Sequence, residues 1–249
     1  MQPIQNIAAY RFVHIEDSDA LAVWIKALCV QHELKGTVLV SPEGINLFLA
    51  GRPEAIDGFL IELKTDTRFA GLPVKYSQSA FVPFKRLRVK RKKEIITYRD
   101  ASLQPEQGRA PSVQPETLAR WLETGKDDNG REVVLLDTRN IDEVVHGSFS
   151  NALIFPINRF TDLPKAVELL KPELEGKTIV SFCTGGIRCE KSVLRMQADG
   201  YQNCYQLEGG ILGYFEKVGG RHYDGRCFVF DDRLALDSNL EPLISQPWF

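Results

Sequence analysis

The chain has 249 residues, with 31 Lys+Arg against 33 Asp+Glu for a net charge of -2, and it is 43% hydrophobic and 26% charged. That is enough chain for one large domain or two small ones with a buried core, and the near-neutral balance excludes a uniformly basic nucleic-acid binder while leaving room for a local basic stripe. No apolar run approaches the roughly 18 residues of a membrane span, the N-terminus lacks a secretory leader, and five scattered cysteines do not form a disulfide framework, so a reduced, cytoplasmic protein with no membrane association is expected.

Residues 7–15 (IAAYRFVHI) predict a strand, being rich in β-branched and aromatic side chains. Asp17-Ser18-Asp19 then offers caps for a helix, with Leu21, Trp24, Ile25 and Leu28 at its period. Strands at 37–41 and 45–50 flank the turn Pro42-Glu43-Gly44, and a second helix at 53–64 places Ile56, Phe59, Leu60 and Leu63 on one face. Strand patterns return at 74–77 and 87–97. The order β-α-β-β-α-β predicts a ferredoxin-like α+β sandwich over residues 1–100.

From Asp100 the composition turns to Gln, Pro, Gly and Ser, which marks residues 101–111 as a linker. The second half predicts a helix at 115–124 and short apolar strands at 133–136, 152–155, 178–182 and 204–207. Helices fit at 141–145, 164–170, 188–198 and 211–218. Apolar strands bounded by helices imply a parallel-sheet α/β domain over 112–222, with its ligand site at the carboxyl ends of the strands. Residues 223–249 form a C-terminal extension, and 237–249 a terminal arm ending in Trp248-Phe249.

The sharpest feature is Ser181-Phe182-Cys183-Thr184-Gly185-Gly186-Ile187-Arg188-Cys189-Glu190-Lys191-Ser192. An apolar strand runs into Cys183, two glycines permit a tight backbone path, and a helix begins near Arg188. Amides of such a loop and the helix N-terminus point at the sulfur. Their dipoles and the Arg188 charge favour thiolate over thiol. In this reading Thr184, Gly185, Gly186, Ile187 and Arg188 support the thiolate of Cys183, which must be ionised and within a reagent's reach. The competing reading is a buried structural cysteine at a strand end.

Cys183-x-x-Gly186-x-Arg188 resembles the active-site loop of the rhodanese family. Leu136-Asp137-Thr138-Arg139, with Glu143 and Gly147 following, resembles that family's Asp-x-Arg segment, and Gly209-Gly210-Ile211 its closing turn. Ser148 stands where rhodaneses commonly carry His. Phosphatases of this architecture have five residues between Cys and Arg; the four between Cys183 and Arg188 make a smaller cradle that suits a terminal sulfur or a planar substrate edge better than a phosphoryl group, which disfavours a phosphatase.

Three longer motifs resemble the bacterial tRNA uridine hydroxylase family: Phe182 through Lys191, Arg226-Cys227-Phe228-Val229-Phe230-Asp231-Asp232-Arg233, and Ser41-Pro42-Glu43-Gly44-Ile45-Asn46. The resemblance implies an acylphosphatase-like domain followed by a rhodanese-like one. It also implies oxygen-dependent formation of 5-hydroxyuridine at the tRNA wobble position, with Cys183 as catalytic residue in a persulfide intermediate. O2 is then a co-substrate, the electron donor is unidentified, and no other cofactor is evident. Many longer members continue into a cysteine-rich tail, and a metal role tied to such a tail is not expected for this chain.

Uracil C5 is weakly nucleophilic, and a thiolate adding at C6 would make it enolate-like, which gives the chemistry a use for one activated cysteine. Persulfide and direct nucleophile both remain open for Cys183. Cys189 is a candidate resolving thiol for an oxidised Cys183, or a small residue filling the first helical turn. Asp137 and Arg139 brace the loop and Arg188, or form a structural ion pair. Lys85, Arg86, Arg88 and Lys90, within the run Lys85-Arg86-Leu87-Arg88-Val89-Lys90-Arg91-Lys92-Lys93, are tRNA-binding candidates. Phe81, Phe84 and Tyr98 flank them as possible stacking partners for unpaired bases.

His14, His32, His146 and His222 show no metal-ligand spacing, and no stable protein partner is expected. Cys29, Cys204 and Cys227 fit core positions. Two other functions compete with the hydroxylase: a sulfurtransferase carrying a persulfide on Cys183, and a non-enzymatic thiol sensor or binding module.

Overall fold

The computed structural model describes residues 3–244 and 246, so Trp248 and Phe249 lie outside the described residues. The chain divides into two compact units. One comprises the chain up to Thr97 with Phe230–Leu234 and the residues from Glu241; the other comprises Tyr98–Val229 and Ala235–Leu240.

The first unit contains β1 (Ile4–Phe12), α1 (Ser18–Gln31), β2 (Lys35–Ser41), β3 (Gly44–Gly51), α2 (Pro53–Leu63), β4 (Lys75–Ser79) and β5 (Leu87–Arg91). Its sheet order is β4-β1-β3-β2-β5. The first four strands are the antiparallel ferredoxin-like arrangement expected from the sequence, and β5 adds a parallel partner to β2. Leu21, Ile25 and Leu28 of α1 and Ile56, Phe59, Leu60 and Leu63 of α2 are buried against Ile7, Val38, Val40, Ile45, Leu47 and Leu49 of the sheet. Each such burial stabilises the fold by about 1.5–3 kcal/mol.

Two boundaries differ from the sequence reading. β1 spans Ile4–Phe12 rather than 7–15, because its partner β3 begins at Gly44, which faces Phe12. Beyond that point Val13 and Ile15 donate instead to the carbonyls of Glu43 and Pro42 in the turn. β5 stops at Arg91 rather than reaching 97, because the chain turns away after Lys92. The Ile95 N–H then donates to the Glu43 carboxylate at 2.7 Å, and the Asn46 amide donates to the Ile95 carbonyl at 3.4 Å. The Ser-Pro-Glu-Gly-Ile-Asn motif therefore anchors the segment that follows β5. The Phe-Asp-Asp-Arg motif anchors another segment: the Arg233 guanidinium forks onto the Asp231 carboxylate at 2.8 and 2.7 Å and donates to the Ser77 hydroxyl of β4 at 2.7 Å.

The second unit contains β6 (Ser112–Val113), α3 (Pro115–Thr124), β7 (Val133–Asp137), α4 (Ile141–Val144), β8 (Gly147–Phe149), α5 (Leu163–Glu168), α6 (Lys171–Leu174), β9 (Thr178–Phe182), α7 (Ile187–Ala198), β10 (Cys204–Leu207), α8 (Gly210–Val218), β11 (Tyr223–Gly225), β12 (Cys227–Phe228) and β13 (Ala235–Leu236). Its main sheet, β6-β10-β9-β7, is parallel throughout. β9 is buried along its whole length, as a central strand covered by helices must be.

The expected strand at 152–155 is reduced to one parallel bridge between Leu153 and Leu136. The ladder instead forms slightly earlier, where β8 pairs antiparallel with β11. Residues 101–111 are mostly exposed but pinned at points: Leu103 and Ala110 are buried, and Arg109 donates to the Glu190 carboxylate at 2.9 Å. Nor does the stretch from 223 stand apart. β11 completes the pair with β8, β12 pairs with β13, and Phe230–Leu234 belongs to the first unit.

Candidate active site

Cys183 follows directly on β9, and Ile187 opens α7, so the loop between them lies at the carboxyl end of a central parallel strand. Gly186 holds the turn at φ 101°, a conformation L side chains rarely adopt, and its N–H donates to the Cys183 sulfur at 3.1 Å. The start of α8 holds the loop from outside, as Ile211 and Leu212 donate to the carbonyls of Cys183 and Thr184 at 2.9 and 3.1 Å. This contact requires Gly210: a Cβ there would lie 2.5 Å from the Cys183 carbonyl oxygen and 2.7 Å from the Gly186 nitrogen.

Arg188 points its charge at the loop and is itself fixed by Glu143 of α4 at 2.7 Å, both side chains being buried. The other Glu143 oxygen accepts from the Asn140 N–H at 3.1 Å, so one carboxylate ties the start of α4 to Arg188. Burial alone raises the Cys183 pKa. The Cys189 side chain, the Arg188 charge, and the amides of Arg188 and Gly186 together outweigh it, and the pKa is lowered to about 6. The ionised sulfur expected from the motif is thus supported by its surroundings.

The expectation of a reachable sulfur is not met. Cys183 is 1% exposed, and of the loop residues between it and Arg188 all but the half-buried Gly185 are buried.

Cys189 lies wholly buried on the first turn of α7, and burial together with the adjacent Cys183 pushes its pKa well above the usual thiol range. Asp137 and Arg139 form a fully buried pair, Nη2 to Oδ2 at 2.6 Å, and Arg139 also donates to the Gly147 carbonyl at 2.7 Å. The carboxylate that holds Arg188 is Glu143, whose place in the sequence motif carried no assigned role. The pattern Asn140-x-x-Glu143, a helix-start signature, was the available signal. Thr138 was likewise unassigned. Its backbone N–H and its hydroxyl both donate to the Phe182 carbonyl at 3.0 Å. Cys227 is buried with its pKa pushed up to about 12, burial being the main cause, and it stands against the Thr184 hydroxyl.

Lys85, Arg86, Arg88 and Lys90 are all exposed in the first unit. Arg88 and Lys90 alternate along β5 with Leu87 and Val89, which pack on the core. Phe81 and Phe84 are half-buried, but Tyr98 is not available to stack on a base: it is buried in the second unit with its ring 4.8 Å from that of Phe160. Among the described residues no helix is long and apolar enough to cross a membrane, and no group of three or more His, Cys, Asp or Glu side chains could hold a metal ion.

Comparison with known proteins matches residues 4–95 to the UPF0176 acylphosphatase like domain and residues 114–217 to the Rhodanese-like domain. A tRNA uridine(34) hydroxylase of Xanthomonas axonopodis pv. citri (strain 306) is 59% identical over 239 residues, covering 96% of each chain. A protein of the same name from Bordetella avium (strain 197N) is 58% identical over 240 residues, covering 96% of this chain and 99% of the relative. In Cupriavidus pinatubonensis (strain JMP 134 / LMG 1197) a tRNA uridine(34) hydroxylase is 56% identical over 96% of this chain and 85% of its own length.

Proposed function

The chain belongs to the tRNA uridine(34) hydroxylase family and is an enzyme that hydroxylates the wobble uridine of tRNA, and we propose that Cys183 is its reacting group and 5-hydroxyuridine its product. What supports this assignment is the sulfur at the end of β9, with the Gly186 amide nitrogen at 3.1 Å and a guanidinium fixed beside it.

Overall, one oxygen atom of O2 enters at C5 and the other leaves as water, using two electrons and two protons from a reductant outside the chain. In the step assigned to Cys183, the thiolate adds to uracil C6 and leaves C5 enolate-like toward oxygen. One atom of O2 bonds to C5, and the reductant's two electrons and two protons cleave the O–O bond to leave a C5 hydroxyl and water. Loss of the C5 proton with expulsion of the thiolate then restores the ring double bond. Gly186 and Arg188 stabilise the sulfur's charge before addition and after release. A persulfide on Cys183 is the other form in which the same sulfur can act. Neither form proceeds until the enclosed sulfur is uncovered.

The test is gain of the modified nucleoside. Expressed in a bacterium whose tRNA lacks 5-hydroxyuridine, the chain is expected to produce it, as read by mass spectrometry of digested tRNA. Its absence, combined with thiosulfate:cyanide sulfur transfer by the purified protein, would favour the sulfurtransferase instead; absence of both would favour a thiol sensor.

We assign tRNA binding to the exposed stripe Lys85, Arg86, Arg88 and Lys90. Replacing Lys85, Arg86 and Arg88 together by Glu is expected to weaken tRNA binding by at least tenfold at moderate salt and to reduce the slope of log affinity against log salt by about 3. Thermal stability should hold within roughly 0.5 kcal/mol per site, because these side chains are exposed. Unchanged affinity would place the tRNA surface elsewhere.

A further inference from the structure

We infer that Phe48 is a stacking floor for an unpaired base of the tRNA, with Arg88 beside it for the adjoining phosphate. The inference rests on the reading that the basic stripe of the first unit holds tRNA. It follows from which residues share the face of the first sheet turned away from α1 and α2. Ile45, Leu47 and Leu49 of β3 lie in the core with those helices, so Asn46, Phe48 and Ala50 point the other way. In β5 the same alternation packs Leu87 and Val89 on the core and turns Arg88 and Lys90 to the outer face.

The pairing register puts Phe48 at the centre of one continuous row. Ala8 of β1 faces it on one side, Thr37 of β2 faces it on the other, and Arg88 of β5 faces Thr37. The ring's two cross-strand neighbours are therefore small, and neither stands up to cover it. Ala8, Phe48 and Thr37 are half-buried and Arg88 is exposed. The rows to either side are closed. Asn6 and Ala50, which face each other, are 2% and 0% exposed, and Asn46 is 7% exposed with its amide donating to the Ile95 carbonyl. What remains open is one row wide and has an aromatic floor. Among the described residues, Phe48 is not one of the apolar side chains packed on the core of this unit, so core packing does not account for a large ring there.

These features fit a single-stranded nucleotide. Every base has a π face, and stacking on an aromatic ring holds unpaired bases whatever their sequence. Neighbouring strands lie about 4.8 Å apart, so Arg88 stands about 10 Å from Phe48 at the backbone. Its long side chain spans that gap toward a phosphate attached to a base stacked on the ring, and Lys90 extends the positive charge along β5. The wobble uridine belongs to a loop of unpaired bases, whereas a paired stem hides its base faces inside the helix. An acidic peptide would engage the cations and leave the ring unused.

The experiment measures binding of the full chain to two RNAs with equal numbers of phosphates, an anticodon stem-loop and a fully paired duplex, across a salt series. Phe48→Leu keeps an apolar side chain but loses the π face. It is expected to weaken stem-loop binding roughly tenfold, and to leave duplex binding and the salt slope unchanged because no ion contact is lost. Phe48→Tyr keeps the ring and should bind within about twofold of wild type. Unchanged stem-loop affinity in Phe48→Leu, or an equal loss for both RNAs, would overturn the inference. Should Phe48→Leu fold poorly, Phe48→Trp gives a second reading: the stem-loop is expected to quench the added fluorescence and the duplex to leave it, and equal responses would overturn the inference too. The triple Glu variant of Lys85, Arg86 and Arg88 is measured on the same RNAs. Unchanged affinity there overturns the stripe and this inference together; a loss there with Phe48→Leu unaffected overturns the stacking floor alone.

Discussion

Replacing Cys183 by alanine is expected to abolish 5-hydroxyuridine formation, with a loss on the order of a thousand-fold or more in turnover of bound tRNA. The size of the loss follows from the site's construction. The Gly186 amide and the charge of Arg188 converge on one sulfur, and none of them can attack a carbon in its place. The substitution removes one buried atom from a position already tied by backbone hydrogen bonds from Ile211 and Leu212, so the fold should lose no more than about 1–2 kcal/mol. Affinity for tRNA should be unchanged, because the stripe assigned to binding lies on β5 and the residues before it. Cys183→Ser is the stricter control: a hydroxyl keeps the shape but is not ionised near neutrality, and it should be equally inactive. Measurement is by mass spectrometry of nucleosides from tRNA incubated with each variant. Substantial 5-hydroxyuridine from Cys183→Ala would remove the sulfur from the mechanism and leave the loop a structural feature.

Much of the architecture was readable because strand and helix periods in this chain are strong and locally consistent. The helices at Pro53–Leu63 and Pro115–Thr124 each begin with proline where its missing N–H costs nothing. The strands Thr178–Phe182 and Cys204–Leu207 are short apolar runs closed by turn residues. Failures came where pairing, rather than pattern, decides. Residues 152–155 are apolar enough for a strand but find one bridge at Leu153, while the Gly-containing Gly147–Phe149 pairs because Tyr223–Gly225 arrives alongside it. Periodicity cannot report that a distant segment supplies a partner.

The site divides in the same way. The loop was readable because Cys183, Gly186 and Arg188 are close in sequence and their geometry is local. The contact of Glu143 with Arg188 spans 45 positions and that of Thr138 with Cys189 spans 51, so only the fold reveals them. The enclosure of Cys183 is also a tertiary property with no local signal.

Replacement of Asp137 by alanine is expected to produce the largest loss of stability of any single change around the site. Its carboxylate accepts four hydrogen bonds: from the Arg139 amide at 3.1 Å, from Arg139 Nε at 2.9 Å, from Arg139 Nη2 at 2.6 Å and from the Ser148 hydroxyl at 2.7 Å. Arg139 is itself fully buried, with its guanidinium 6.0 Å from the ring of Phe182, the residue before Cys183. Without the carboxylate a desolvated cation would lose its counter-charge and keep the neutral Gly147 carbonyl. Breaking a buried ion pair from one side costs about 3–5 kcal/mol, against a total stability of about 5–15 kcal/mol for an ordinary domain. Asp137→Ala should therefore lower the thermal midpoint by roughly 10 °C or more, as read by circular dichroism. The double variant Asp137→Leu/Arg139→Met removes both charges and fills the space with apolar atoms, so it should recover a large part of the loss. A single variant that melted within about 1 °C of wild type would mean that water reaches Arg139 and that the pair contributes little to stability.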